Sequence, residues 1–180
     1  MNLPQQLCAG VFHAYSAVAE QPEAEHPFAV GKQFAAGLGY PMDLLERLPP
    51  ASVQAFTGVS NVSIFADLPS GARVLDLGCG AGMDALIAAE RVGPTGQVMA
   101  VDFSPAMLAR AQCAASQASL ANIHHRPGSG GRFASKKCFG RCGFSERPVQ
   151  SEPGACGYFS GTGAPGPARR PRVCGRVHSS

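Results

Sequence analysis

The segment ARVLDLGCGAGMD, Ala72 to Asp84, begins as a short apolar strand, breaks into glycine and opens a helix. Val74, Leu75 and Leu77 flank a single acid, Asp76, and glycines follow at alternate positions, Gly78, Gly80 and Gly82. A strand that ends in glycines at the start of a helix brings bare backbone N–H groups to a ligand. Positions without side chains let that ligand approach the main chain closely.

Downstream, Met83 to Val92 has the spacing of a helix, and Gly93-Pro94-Thr95-Gly96 is a turn signal. Gln97 to Val101 reads as a second strand that ends at Asp102. Ser104 is a good N-cap and Pro105 suits a first helical position, so a second helix is expected there, with Met107, Leu108, Ala111 and Ala115 on its apolar face. Asn122 to His125 is a candidate third strand. The order β-α-β-α-β implies a parallel sheet with crossover helices.

Upstream, apolar residues at Leu7, Val11, Tyr15 and Val18 predict a helix over 4–20. Shorter helices are expected over Phe28–Leu38, Met42–Leu48 and Ala51–Phe56, the second bounded by Pro41 and by Pro49-Pro50. VSIFADL, Val62 to Leu68, leads into the glycine-rich segment through Pro69-Ser70-Gly71.

Charge and composition divide the chain after Pro127. Residues 1–127 hold six Lys/Arg and ten Asp/Glu, net −4, whereas residues 128–180 hold nine Lys/Arg and two Glu, net +7. No Leu, Ile, Met, Asp or Asn occurs from His124 to Ser180. So poor an aliphatic content cannot build a core, and the tail is expected to be disordered. The expected organisation is a helical preface over 1–60, an α/β cofactor-binding half-domain over 61–127 and a Gly/Arg/Pro-rich tail over 128–180. The N-terminus lacks the pattern of a secretory signal and no run is apolar enough to span a bilayer, so a cytoplasmic protein without a membrane partner is expected. Seven cysteines then read as reduced thiols.

Several ligands use a glycine turn. A dinucleotide fold asks for G-x-G-x-x-G, whereas the spacing here is G-x-G-x-G with an acid two residues before it. No lysine follows to hold a phosphate, which excludes a P-loop. Asp102, 20 residues after Gly82, is placed where a carboxylate accepts the two hydroxyls of a ribose.

VLDLGCGAG together with VMAVDFSPAML resembles the class I S-adenosylmethionine-dependent methyltransferases, whose sheet is Rossmann-like. The resemblance implies that Gly78, Cys79, Gly80 and Gly82 line the methionine and ribose part of S-adenosylmethionine. It implies that Asp76 holds the turn and the amino group, that Asp102 takes the ribose hydroxyls, and that Phe103 and Met107 lie near the adenine. Over residues 28–126, including GVSN at Gly58–Asn61 and VGPTG at Val92–Gly96, the chain looks like the arsenite methyltransferase group. That chemistry uses cysteine thiolates for trivalent arsenic. Only Cys8 precedes the glycine turn, so a relative with another small-molecule acceptor is favoured. No catalytic residue is named by the sequence, and no metal is expected.

An intact member of that family has further strands, which the tail does not spell. Its composition is that of a GC-rich gene read out of frame. Codons for residues 133–179, displaced by one nucleotide, can spell LPKNALDVVVS, NGLFNLNPE and LVRPGGRVFAAEFI in that order, which resemble the family's later motifs. A truncated, catalytically impaired methyltransferase is the expectation. The rival is a non-enzymatic binder of nucleic acid or metal through the basic tail. Cys138, Cys142, Cys156 and Cys174 lack paired C-x₂-C knuckles, which weighs against zinc, and nucleic acid is an unlikely partner because a frame change alone yields the same positive charge.

Overall fold

The computed structural model describes residues 3–128 and the backbone of 138–141. The elements run α1 (Leu3–Glu20), α2 (Lys32–Gly37), α3 (Met42–Arg47), α4 (Pro50–Gln54), α5 (Val62–Phe65), β1 (Arg73–Leu77), α6 (Met83–Val92), β2 (Gln97–Asp102), α7 (Pro105–Gln117), β3 (Ile123–Pro127) and β4 (Cys138–Arg141). The fold is α/β.

β1, β2 and β3 form a parallel sheet, with Leu75 opposite Met99 and Met99 opposite His124. Strand order is β3-β2-β1-β4. α6 and α7 pack on this sheet, α6 over β1 and β2 and α7 over β2 and β3. Alternation along the strands gives the buried side Val74 and Asp76 on β1, Val98, Ala100 and Asp102 on β2, and Ile123 on β3. Its apolar members join Met83, Leu86, Ile87, Leu108, Ala114 and Ala115 in the principal core. Burial of this kind stabilises at about 25 cal/mol per Å² of apolar surface. The VGPTG turn packs so closely that a Cβ on Gly96 would lie 2.5 Å from Val92 Cβ and 2.8 Å from the Ala72 carbonyl.

Three local expectations change. The helix expected over Phe28–Leu38 begins only at Lys32, because Gly31 sits at φ +88° and donates its N–H to the Phe56 carbonyl at 2.8 Å. The third strand runs on to Pro127, carried by pairing with Val101 and Asp102 rather than by its own apolar pattern. Beyond Pro127, where no element was expected, β4 pairs antiparallel with β1, setting Asp76 opposite Phe139. The edge of β1 is therefore covered by four residues. Backbone pairing is blind to side-chain identity, so hydropathy gave no sign of it. The rest of the expected tail lies outside the described residues, as do Cys142, Cys156 and Cys174.

Candidate functional site

In open parallel sheets ligands bind beyond the carboxyl ends of the strands. Here those ends carry the glycine turn after β1 and the loop 102–104 after β2. The two are laced together. The Val101 carbonyl accepts N–H bonds from Gly78 at 2.8 Å and Cys79 at 3.0 Å. One oxygen of Asp102 accepts from Gly80 N–H at 2.8 Å, and the other accepts from Ser104 N–H at 2.8 Å. Gly82 N–H closes the turn onto the Cys79 carbonyl at 2.9 Å.

Glycine is required in this turn for two different reasons. Gly82 has φ +83°, and a Cβ there would meet Ala111 Cβ at 2.9 Å, so α6 and α7 close against it. Gly80 has φ +54°, but nothing lies within 4 Å of its missing Cβ. The backbone at Gly80 thus faces open space, the room a ligand needs.

Each residue expected at the cofactor has a place. Asp76 is buried at the end of β1, and Cys79 is buried with its thiol toward the Gly80 carbonyl at 3.6 Å. Asp102 is 6% exposed, and its two carboxylate oxygens accept from the loop amides. Phe103 stands in an aromatic group with Phe12, ring centroids 6.1 Å apart, and Tyr15, 5.9 Å apart and edge-on. Met107 is fully buried among Val18, Ala19, Ala55 and Ala81. The helix α1 is responsible for both: it packs across the start of α7, and Ser16 Oγ meets Ser104 Oγ at 3.2 Å. Met107 therefore serves as a core residue under α1, and Phe103, half-buried, is the more accessible of the pair.

A second polar centre adjoins the turn, and motif spacing did not single it out. Asp84, in the first turn of α6 and 3% exposed, accepts from Tyr40 Oη and from Ser63 Oγ, each at 2.5 Å. Tyr40 also reaches the Ser60 carbonyl at 3.1 Å in the GVSN loop. Burial, then the neighbouring Asp84 charge, raises the Tyr40 hydroxyl far above its usual range, so it acts as a fixed donor. The sequence signal for this centre was a tyrosine beside a helix stop at Gly39 and an acid just after the last glycine. Two surface hollows of about 530 and 510 Å³ lie elsewhere, one lined by Glu46, Arg47 and Glu90 and the other by Gly93 to Gln97. Neither includes the glycine turn.

Residues 68–138 match a family described as a methyltransferase domain. The chain is similar to an arsenite methyltransferase of Halobacterium salinarum, 40% identical over 76 residues, which are 42% of this chain and 19% of that protein. It is also similar to an aklanonic acid methyltransferase of a Streptomyces species, 44% identical over 54 residues, 30% of this chain and 24% of that protein. Among solved structures, an arsenic(III) S-adenosylmethionine methyltransferase from Chlamydomonas reinhardtii superposes with a TM-score of 0.36 at 30% identity, covering 56% of this chain and 33% of that one. The chain thus spans about a fifth to a quarter of the length of the curated relatives it matches. The matched segment contains the whole laced turn, from Asp76 to Asp102. Among the described residues no cluster of His, Cys, Asp or Glu could hold a metal ion, and no helix is long and apolar enough to cross a membrane.

Proposed function

We propose that this chain is the cofactor-binding half of an S-adenosylmethionine-dependent methyltransferase of the arsenite methyltransferase-like type, acting in the cytoplasm on a small-molecule acceptor. The observation that supports it most is the Asp102 carboxylate held over the glycine turn by Gly80 N–H, beside backbone that faces open space. The residues fit the cofactor. Asp102 stands at the end of β2, where it would take the ribose hydroxyls, Gly78 and Gly80 offer backbone without side chains, Asp76 would hold the turn and the amino group, and Phe103 supplies a ring for the adenine. Bound S-adenosylmethionine supplies an electrophilic methyl group on a sulfonium.

The protein's share in such a reaction is positioning. Residues 128–180 do not spell the wall that would position the acceptor, and the reading includes impaired turnover. A frame change near Gly128–Gly131 accounts for the loss, and codons for Val149 to Pro153 that cannot yield FNLNP in a displaced frame overturn that account.

Calorimetric titration with S-adenosylhomocysteine tests the binding reading, alongside titration with single-stranded RNA at low and moderate salt. Saturable cofactor binding with no RNA binding is the expected result. RNA binding with a steep salt slope and no cofactor binding overturns it in favour of a basic nucleic-acid binder.

A further inference from the structure

Asp84 is steadied from the far end of its own helix. Arg91, in the last turn of α6, donates through Nη1 to the Ser63 carbonyl at 2.5 Å and the Ile64 carbonyl at 3.2 Å, and through Nη2 to the Ala66 carbonyl at 2.8 Å. These carbonyls end α5, a single helical turn whose last acceptors have no intrahelical partner. A planar guanidinium with five N–H donors can hold three converging oxygens, which an ammonium cannot reproduce. The same Ser63 whose carbonyl Arg91 grips places its hydroxyl on Asp84 at 2.5 Å. Tyr40 joins from the other side, bonding both Asp84 and the Ser60 carbonyl.

We propose that Arg91 is a positioning residue for the cofactor site, acting through α5 and Ser63 on Asp84 and hence on the glycine turn; the inference rests on the cofactor reading given above. A turn of only four residues has little stability of its own, since helix nucleation is unfavourable. Its position along α6 is therefore set by Arg91, and the Ser63 hydroxyl is delivered to Asp84 as a consequence. Asp84 lies two residues beyond Gly82, so its orientation fixes how α6 leaves the turn. Arg91 itself touches none of the residues assigned to the cofactor.

A double-mutant cycle tests the relay. Arg91→Ala and Ser63→Ala are each expected to weaken S-adenosylhomocysteine binding about tenfold, and the double variant to be no weaker than either single one, because residues of one network do not add. Arg91→Lys is expected to recover only a minor part. A bystander that merely stabilises the fold would lower the melting temperature and leave affinity unchanged, or would add its full effect in the Ser63→Ala background; either result overturns the proposal. Amide exchange provides a readout that needs no ligand. In Arg91→Ala, exchange is expected to quicken at residues 62–66 and also at 80–84, and unchanged protection at 80–84 sinks the relay. Absence of cofactor binding by the unaltered chain would instead reject the cofactor reading.

Discussion

The backbone N–H of Gly80 and the carboxylate of Asp102, 22 residues apart in the chain, meet at 2.8 Å, with Ser104 N–H on the second oxygen at the same distance. One side chain thereby fixes both loops at the top of the sheet. Replacing it with Asp102→Ala strands two amide donors, and about 3–6 kcal/mol of stability should be lost, since hydrogen bonds to charged groups are worth roughly 1.5–3 kcal/mol each. Asp102→Asn keeps one acceptor but turns an NH₂ toward an N–H, so it should lie between the two. Urea unfolding measures both variants, and equal stability of Asp102→Ala and the parent would show that the lacing is incidental.

The two glycines of the turn should separate stability from binding. Gly82→Ala places a methyl 2.9 Å from Ala111 Cβ at a left-handed φ, and a loss of roughly 3 kcal/mol or more is expected from overpacking and strain together. Gly80→Ala meets no atom within 4 Å, so only the left-handed cost of about 1–2 kcal/mol applies. Cofactor affinity should nevertheless fall at least as far in Gly80→Ala, because the new methyl occupies the ligand's space. Thermal melts paired with S-adenosylhomocysteine titrations give both quantities.

Ser104 is the N-cap of α7, accepting from Met107 N–H at 3.3 Å, and it also meets Ser16 of α1. Ser104→Ala should cost about 1 kcal/mol, the ordinary worth of a cap. Exchange at Ala106–Leu108 should rise with it. A loss confined to α1 would identify the Ser16 contact as the important one.

His125 in β3 contributes a pH dependence. Burial first, then the charge of His124, lowers its pKa below the ordinary 6.5. The unfolded chain therefore binds the proton more readily, so the stabilising contribution is complete above pH 6.5 and is lost as pH falls through the lowered folded value. The side chain is half-buried and screened, so the slope should be shallow. Melting temperature measured from pH 8 to 5 should fall less steeply in His125→Asn than in the parent, and parallel curves would count against it.

The sequence by itself determined the alternation of strands and helices from Arg73 to Pro127. Glycine, proline and cap residues act on their own backbone, and apolar spacing reports the face that turns inward, so both can be read locally. It also put Asp102 at the end of its strand, beside the turn. What it could not show is that Asp102 bonds Gly80, that α1 lies over Met107, or that Tyr40 and Ser63 converge on Asp84 from 44 and 21 residues away. Those pairings depend on which elements meet, and no local pattern encodes a partner so distant. The tertiary structure decided them. It also paired Cys138–Arg141 with the edge of β1, because backbone hydrogen bonds need only an open edge and an extended chain, not a hydrophobic rhythm.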